Sequence, residues 1–467
     1  MKHSAFRTHI PAQSPATSTA ERSSSAPNQP LRRYRLLAVI LAVIGFSLTV
    51  PQVQPSEATQ TSPPAVQKPA HSELLARADQ VLQEMSKLTG LPIKAQVNKK
   101  VVDRAEVRKM LVHNLHTDYT PQEIHVQEAT LRAFGLVPRS FDLGSFLVKF
   151  YTEQAAGFYD PPTKTMYIAD WIPADMQQMV LAHELTHALQ DQNFNLERYM
   201  KSVKQNDDEE AARQAVVEGY ATAAMYLSMM PGAQAADLPN FDTTFGPLIR
   251  QQMAAFPVFS KAPFFFRLQA LFPYIQGANF IEKGLRQLGW KGLNELFTSP
   301  PTSTKAIFQP GIYFNHVALP DVQLPPKTPL GSVAGLKMLD ENTMGELGYD
   351  SLLGQFLSEK GANVASSAWM GDRYIVYENP VSKQYALVAR TRWDSPDAAL
   401  DFFRDYRSVL NQKYSELTPD GRSNASRFIA RTSSGNVVML QSGDEVRWAE
   451  GVPAGKVDDM LKWLAAL

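Results

Sequence analysis

The run from Met179 to Leu189 places the strictest condition on how this chain folds. Met179, Val180, Leu181, Ala182, Leu185 and Leu189 are apolar and mostly good helix formers, so the segment belongs on a buried helix. Set among them are His183, Glu184 and His187. On a helix, residues four apart stand one above the other, so both imidazoles face the same way. Burying two imidazoles and a carboxylate is costly unless something meets their charge and hydrogen-bonding capacity. The fold must therefore bring a partner to that face. Neutral imidazole ligates zinc well, and a catalytic zinc site takes three protein ligands and leaves one position open. His183 and His187 are thus candidate metal ligands, and Glu184, beside the first of them, is the candidate general base. The plainer alternative is a helix carrying two hydrogen-bonded histidines.

A third ligand has to come from elsewhere. The acids downstream are Asp207, Asp208, Glu209, Glu210 and Glu218. The first four suit a solvated loop leading into a helix, where acids favour the N-terminal end. Glu218 differs, because it interrupts the apolar helical face Val216-Val217-Glu218-Gly219-Tyr220-Ala221. A carboxylate on such a face calls for a compensating cation. Gly219 beside it leaves room for another backbone to approach. Glu218 is therefore the preferred third ligand; the alternative is an exposed or salt-bridged helix residue. Asp191, one turn beyond His187, is either the partner of a ring N–H or an ordinary surface residue. Thr222 stands in the same relation to Glu218.

Composition narrows the class. The chain has 467 residues, enough for two or three domains with a sizeable core. Lys+Arg and Asp+Glu both number 46, so no global field recommends a nucleic acid as partner. The absence of cysteine excludes disulfides, thiol nucleophiles and cysteine-ligated zinc. Residues 1–35 are polar and basic, residues 36–50 form an apolar run, and residues 51–70 are rich in Pro, Gln, Ser and Thr. This order reads as an export segment followed by a linker. The run is short for a membrane span, yet Arg32, Arg33 and Arg35 before it also suit a retained signal anchor. Either way the remainder of the chain is expected outside the cytoplasm.

The rest divides into two regions. From 71 to 330 helical periodicity dominates, beginning near Ser72. Pro92 to Val102 alternates like a strand, Asp103 with Glu106 makes a capping box, and Thr120-Pro121 opens another helix. A helix over 143–154 precedes two short strands around Pro161-Pro162, a hairpin spanning 155–169. The histidine-bearing helix is expected from Asp175 to about Asn193, and the Glu218 helix to end near Met230. Residues 240–298 read as mainly helical, with Phe256, Phe259, Phe264, Phe265, Phe266 and Phe272 expected in the core. From 331 to 467 the strand-like alternating segments Arg373–Glu378 and Gln384–Thr391 are interleaved with helices, and Trp369–Tyr377 reads as a strand entry after a turn. The fold class is α+β: a mainly helical domain with a small sheet, and a separate C-terminal α+β domain.

These residues carry a resemblance. His183-Glu-Leu-Thr-His-Ala-Leu-Gln-Asp-Gln192, followed by Glu218-Gly-Tyr-Ala-Thr222, resembles the gluzincin, thermolysin-like branch of the zinc metallopeptidases. It resembles more closely a set of bacterial proteins with this extended motif and an acidic third ligand. The hairpin at 155–169 is similar to the edge-strand segment that precedes the metal helix in that branch. Pro301-Thr-Ser-Thr-Lys-Ala-Ile-Phe-Gln-Pro310 is similar to a Ser-Thr…His-Pro segment of that set. Gln309 stands where that segment has His, and Thr222 where the thermolysin-like pattern has Asp. The resemblance covers roughly residues 75–320. It implies a zincin-like catalytic domain, Zn2+ as cofactor, ligands His183, His187 and Glu218, and Glu184 as base. It also implies a peptide or protein substrate, for which the hairpin edge offers main-chain hydrogen bonds. Tyr220, Tyr313 and His316 are candidates for the oxyanion donor such chemistry wants. The expected function is that of an exported or membrane-anchored zinc metallopeptidase. The alternatives are a zinc amidase acting on a cell-wall substrate and a non-catalytic metal-binding scaffold; the intact Glu184 argues against the scaffold.

Overall fold

The computed structural model describes residues 71–467, apart from 204, 205, 231 and 326. The export segment and linker expected over 1–70 lie outside the described residues. The described chain opens with α1 (His71–Thr89) and β1 (Asn98–Val102). The strand expected from Pro92 is thus shorter. Over 92–97 the backbone bonds to a side chain instead: Gln192 Oε1 accepts from Lys94 N (2.7 Å) and Ala95 N (3.1 Å). Both capping boxes form as the sequence dictates. Asp103 opens α2 (Arg104–Asp118) and Thr120 opens α3 (Pro121–Phe134). Then follow α4 (Leu143–Gln154), the hairpin β2 (Gly157–Asp160) and β3 (Thr165–Ala169), α5 (Ala174–Phe194), α6 (Leu196–Lys201) and α7 (Asp207–Ser228). The strand order β1-β3-β2 leaves β2 at an edge, with β1 and β3 parallel and β2 and β3 antiparallel.

Past α7 the chain is helical through α8 (Gly246–Met253), α9 (Pro257–Lys261), α10 (Phe264–Phe272), α11 (Ala278–Leu293), α12 (Thr304–Phe308) and α13 (Gly311–Phe314). A π-helical turn, Pro273–Gly277, links α10 to α11. Phe259, Phe266 and Phe272 are buried in this region, while Phe256, Phe264 and Phe265 are half-buried. Among the described residues no helix is long and apolar enough to cross a membrane.

The C-terminal part is an antiparallel seven-stranded sheet with helices on it. It runs β4 (Lys337–Asn342), α14 (Gly345–Phe356), α15 (Glu359–Ser366), β5 (Trp369–Asn379), β6 (Gln384–Trp393) and α16 (Pro396–Lys413). It ends with β7 (Leu417–Pro419), β8 (Arg427–Thr432), β9 (Gly435–Ser442), β10 (Glu445–Val452) and α17 (Val457–Ala465). The strand order is β4-β5-β6-β10-β9-β8-β7. Successive side chains leave opposite faces of a strand. Accordingly Tyr374 and Val376 join a core that reaches α2, α3 and α4, whereas Ile375 and Tyr377 join a second core beneath α17. One hydrophobic cluster therefore runs from Val107 and Phe134 in the helical part to Trp393 and Trp448 in the sheet. The molecule is α+β, and its two regions share that core across residue 330.

Polar groups reinforce the junction. Lys305 Nζ lies 3.4 Å from Glu346 Oε2, with both side chains almost wholly buried. Asp208 is buried and accepts from the backbone and hydroxyl of Thr304. This corrects the reading of 207–210 as a solvated cluster. Asp208 and Glu210 are buried at the start of α7, Asp207 is bonded to Asn342, and Glu209 pairs with Arg213. The segment around Pro301 thus ties α7 to the C-terminal part.

Candidate metal centre

Helix α5 carries His183, Glu184 and His187 into a core where Val180, Leu181, Leu185 and Leu189 are fully buried. Helix α7 crosses it and is buried along most of its length, so Glu218 is almost wholly buried. The crossing is close because of glycine. A Cβ on Gly219 would stand 2.7 Å from Ala278 N and nearer still to the Gly277 carbonyl. The π-helical turn can therefore lie directly on α7 only if residue 219 has no side chain. Gly157 plays the same part on the other flank, where a Cβ would meet Val180 Cγ1 at 2.7 Å. That contact lets β2 lie against α5.

The result is a tight triangle of ligand atoms. His183 Nε2 is 3.1 Å and His187 Nε2 3.3 Å from Glu218 Oε2, and the two ring nitrogens are 2.9 Å apart. Three ligands bound tetrahedrally at about 2.0–2.1 Å lie about 3.3 Å from one another. The observed spacing is a slightly contracted version of that face. Two nitrogen lone pairs so close repel unless a positive charge lies between them, and the oxygen aimed at the same point is anionic. The donor set therefore fits a metal ion. Among the described residues His183, His187 and Glu218 form a buried cluster that can hold one, and no other group of this kind is found.

Neighbouring side chains fix the ligands. Gln190 Oε1 lies 2.8 Å from His187 Nδ1, and Gln190 Nε2 donates to Val217 O on α7. With Nδ1–H as the donor, His187 Nε2 turns its lone pair into the triangle. Gln214 donates to Glu218 Oε1 at 2.7 Å. Tyr274, from the π-helical turn, faces the Glu218 carboxylate; burial and then that carboxylate push its hydroxyl pKa well up, and its ring centroid is 6.1 Å from that of His183. Among protein groups alone, burial and then His187 pull the His183 pKa down to about 4, so that ring is neutral. Burial also works against a charged His187 and a charged Glu218, but their mutual attraction prevails, raising the first and lowering the second. The site thus draws positive charge to itself.

Glu184 is buried beside the triangle, and its Oε2 accepts from Tyr159 N of edge strand β2 at 2.8 Å. Burial pushes its carboxyl up to about 8. A cleft of about 60 Å³ opens at this point, lined by Tyr159, Asp160, Pro161, His187, Val217 and Glu218. Two of the ligands and the edge strand therefore face the same small opening.

Other candidates fall elsewhere. Asp207, Asp208, Glu209 and Glu210 stand at the opposite end of α7, at least two turns from Glu218. Asp191 is neither a ring partner nor a surface residue. It is buried and accepts from Tyr159 Oη (3.0 Å), Lys164 Nζ (2.6 Å) and Leu196 N (3.2 Å), bracing the hairpin against the end of α5. Thr222 is buried and its hydroxyl has no hydrogen-bond partner. Tyr220 packs on Trp290 and Phe297, Tyr313 donates to Ser299 O, and His316 is exposed. None of these three lines the cleft. The tyrosine that reaches the cluster is Tyr274, and the residue that holds a ligand ring is Gln190. Gln190 was within reach of sequence reasoning, since i+3 spacing places it beside His187.

One family matches part of the chain: a domain of unknown function (DUF8575), over residues 334–461. That stretch is the C-terminal sheet with its helices and excludes all three ligands. No curated protein and no solved structure was found to match.

Proposed function

We propose that the chain is a zinc-dependent metallopeptidase, exported or held at a membrane by its N-terminal segment. The observation that carries this reading is the convergence of two imidazole nitrogens and one carboxylate oxygen beside a fourth group, Glu184, at the edge of a strand. A structural metal site has no use for that fourth group. His183, His187 and Glu218 would hold the ion, and their neutral-neutral-anionic, nitrogen and oxygen character suits zinc. A zinc ion there would supply a Lewis acid that acidifies water and polarises an amide carbonyl. Glu184 would take the proton from the attacking water and deliver it to the leaving nitrogen. Its attachment to Tyr159 N ties the carboxylate to a strand residue that lines the cleft. The position of β2 at the edge of its sheet favours an extended peptide as substrate. The basic segment and the apolar run at 36–50 support placement outside the cytoplasm.

The test is Glu184→Gln, measured by metal content and by cleavage of a quenched-fluorescence peptide library. Zinc should remain bound at one equivalent while turnover falls at least 10³-fold, of the order expected when chemistry loses its proton carrier. Undiminished cleavage in that variant would end the assignment.

A further inference from the structure

We infer that the C-terminal region completes a substrate pocket, and that this pocket takes a bulky apolar side chain of the peptide. The inference rests on the peptidase reading and gives the C-terminal region a part in it.

A second cavity, of about 230 Å³, lies next to the metal cleft. Gln214 lines both spaces, and it is the residue that donates to Glu218 Oε1. Phe272 and Pro273 line the larger space, while Tyr274, next along the chain, faces Glu218. The two spaces thus share Gln214 as a wall. The walls are mostly apolar. Leu131, Phe134 and Phe272 form the helical side, and Met344, Leu347 and Tyr374 come from the C-terminal region. An apolar cavity of about 150 Å³ already takes up a benzene ring, so this one has room for an aromatic or long aliphatic side chain. Glu210 and Asp340 in the same wall would oppose an acidic one.

The C-terminal wall is shaped for this. A Cβ on Gly348 would clash with the Met344 side chain, so the glycine gives Met344 room to pack over α14 as part of the cavity wall. Without residues 334–461 the cavity would be open along that side. The region's role is then to close a pocket, which explains why it shares a core with the helical part.

The experiment fills the cavity from the C-terminal wall with Met344→Trp and from α7 with Ala211→Phe, so that one variant suffices should the other fail to fold. Peptides carrying Phe or Ala at each position around the scissile bond give a Phe-to-Ala ratio of kcat/KM. Equilibrium binding of the neutral fluorophore N-phenyl-1-naphthylamine reads the cavity without catalysis. The ratio should fall at least 10-fold at one position, and the fluorophore's affinity should fall by a similar factor. Fluorophore affinity equal to that of the native protein, or a ratio unmoved at every position, would overturn the inference. Fluorophore binding lost on filling, in a protein that cleaves no peptide, would uphold the cavity and refute the peptidase reading instead.

Discussion

The close approach of Gly219 to the Gly277 turn is the sharpest structural condition on the metal centre, and Gly219→Ala tests it. A Cβ at 219 would lie 2.7 Å from Ala278 N, and ordinary contact begins at 3.4 Å, so the backbones must part by at least about 0.7 Å. The obstacle is the main chain of Gly277 and Ala278, which cannot swing aside as a long side chain can. Glu218 is the adjacent residue and Tyr274, which faces its carboxylate, sits on the displaced turn. Metal–ligand distances are held to about 0.2 Å, so a 0.7 Å shift exceeds what the site absorbs. We expect zinc affinity to fall about 10- to 100-fold, as when a ligand's support is lost, and stability to fall by about 1–3 kcal/mol from overpacking. Gly277→Ala presses on the same gap from the other side, towards Ala215. The double variant should therefore be less than additive, because one separation relieves both clashes. Gly455→Ala, where a Cβ meets nothing within 4 Å, is the control. The assays are competition with a fluorescent chelator and thermal unfolding with and without zinc. Native zinc affinity in Gly219→Ala would refute the argument that this contact positions Glu218.

Three further outcomes follow from the site's supports. Gln190→Leu removes the partner of His187 Nδ1 and the link to Val217 O, and should weaken zinc binding about 10- to 100-fold by chelator competition; unchanged affinity would mean the ring is held by packing alone. Tyr274→Phe removes the hydroxyl that faces Glu218 and should act on zinc affinity in the same direction, with an intact unfolding profile; a normal affinity with lost turnover would move its role to the reacting carbonyl. Glu346, at the junction, has its carboxyl pushed up to about 8 by burial, which Lys305 only partly counters. A raised pKa gives stability that is full below the ordinary value near 4.5 and is lost as pH rises towards 8. Glu346→Gln should flatten the fall in stability between pH 5 and 8, on the order of a few kcal/mol, in denaturant titrations; parallel curves for the two proteins would exclude it.

What the sequence revealed was local, and what it hid was long-range. Capping boxes at Asp103 and Thr120, the hairpin around Pro161 and the shared face of His183 and His187 depend on spacings of a few residues. Glu218 was legible because a carboxylate on an otherwise apolar face is an anomaly in any helix. Tyr274 carried no such signal: a tyrosine among apolar residues reads as core, and only the turn lying on Gly219 brings its hydroxyl to the ligand. Asp208 misled for the opposite reason. Acids at a helix start usually face water, and its burial depends on Thr304, far along the chain. The alternation of β5 and β6 was visible in the sequence, but alternation does not say what covers each face, so the core shared with α2–α4 was not.

Counting charge at the centre separates the two glutamates. His183 and His187 as ligands are neutral, so Glu218 and, once a cation offsets the burial that raises its pKa, Glu184 bring a total of two negative charges into one buried site. A divalent cation balances that sum, whereas a structural site built on the triangle alone would carry an excess of positive charge away from water. The two acids are nonetheless unequal, because only Glu218 points at the ring nitrogens, while Glu184 is turned to Tyr159 N. Glu218→Gln keeps the shape and replaces the anionic ligand with a weak neutral one, so zinc affinity should drop at least 100-fold, about 2.8 kcal/mol. Glu184→Gln should move it less than tenfold, since no ligand atom is touched. Measured side by side by chelator competition, equal losses would show that both carboxylates are ligands, and the base would then have to be sought elsewhere in the cleft.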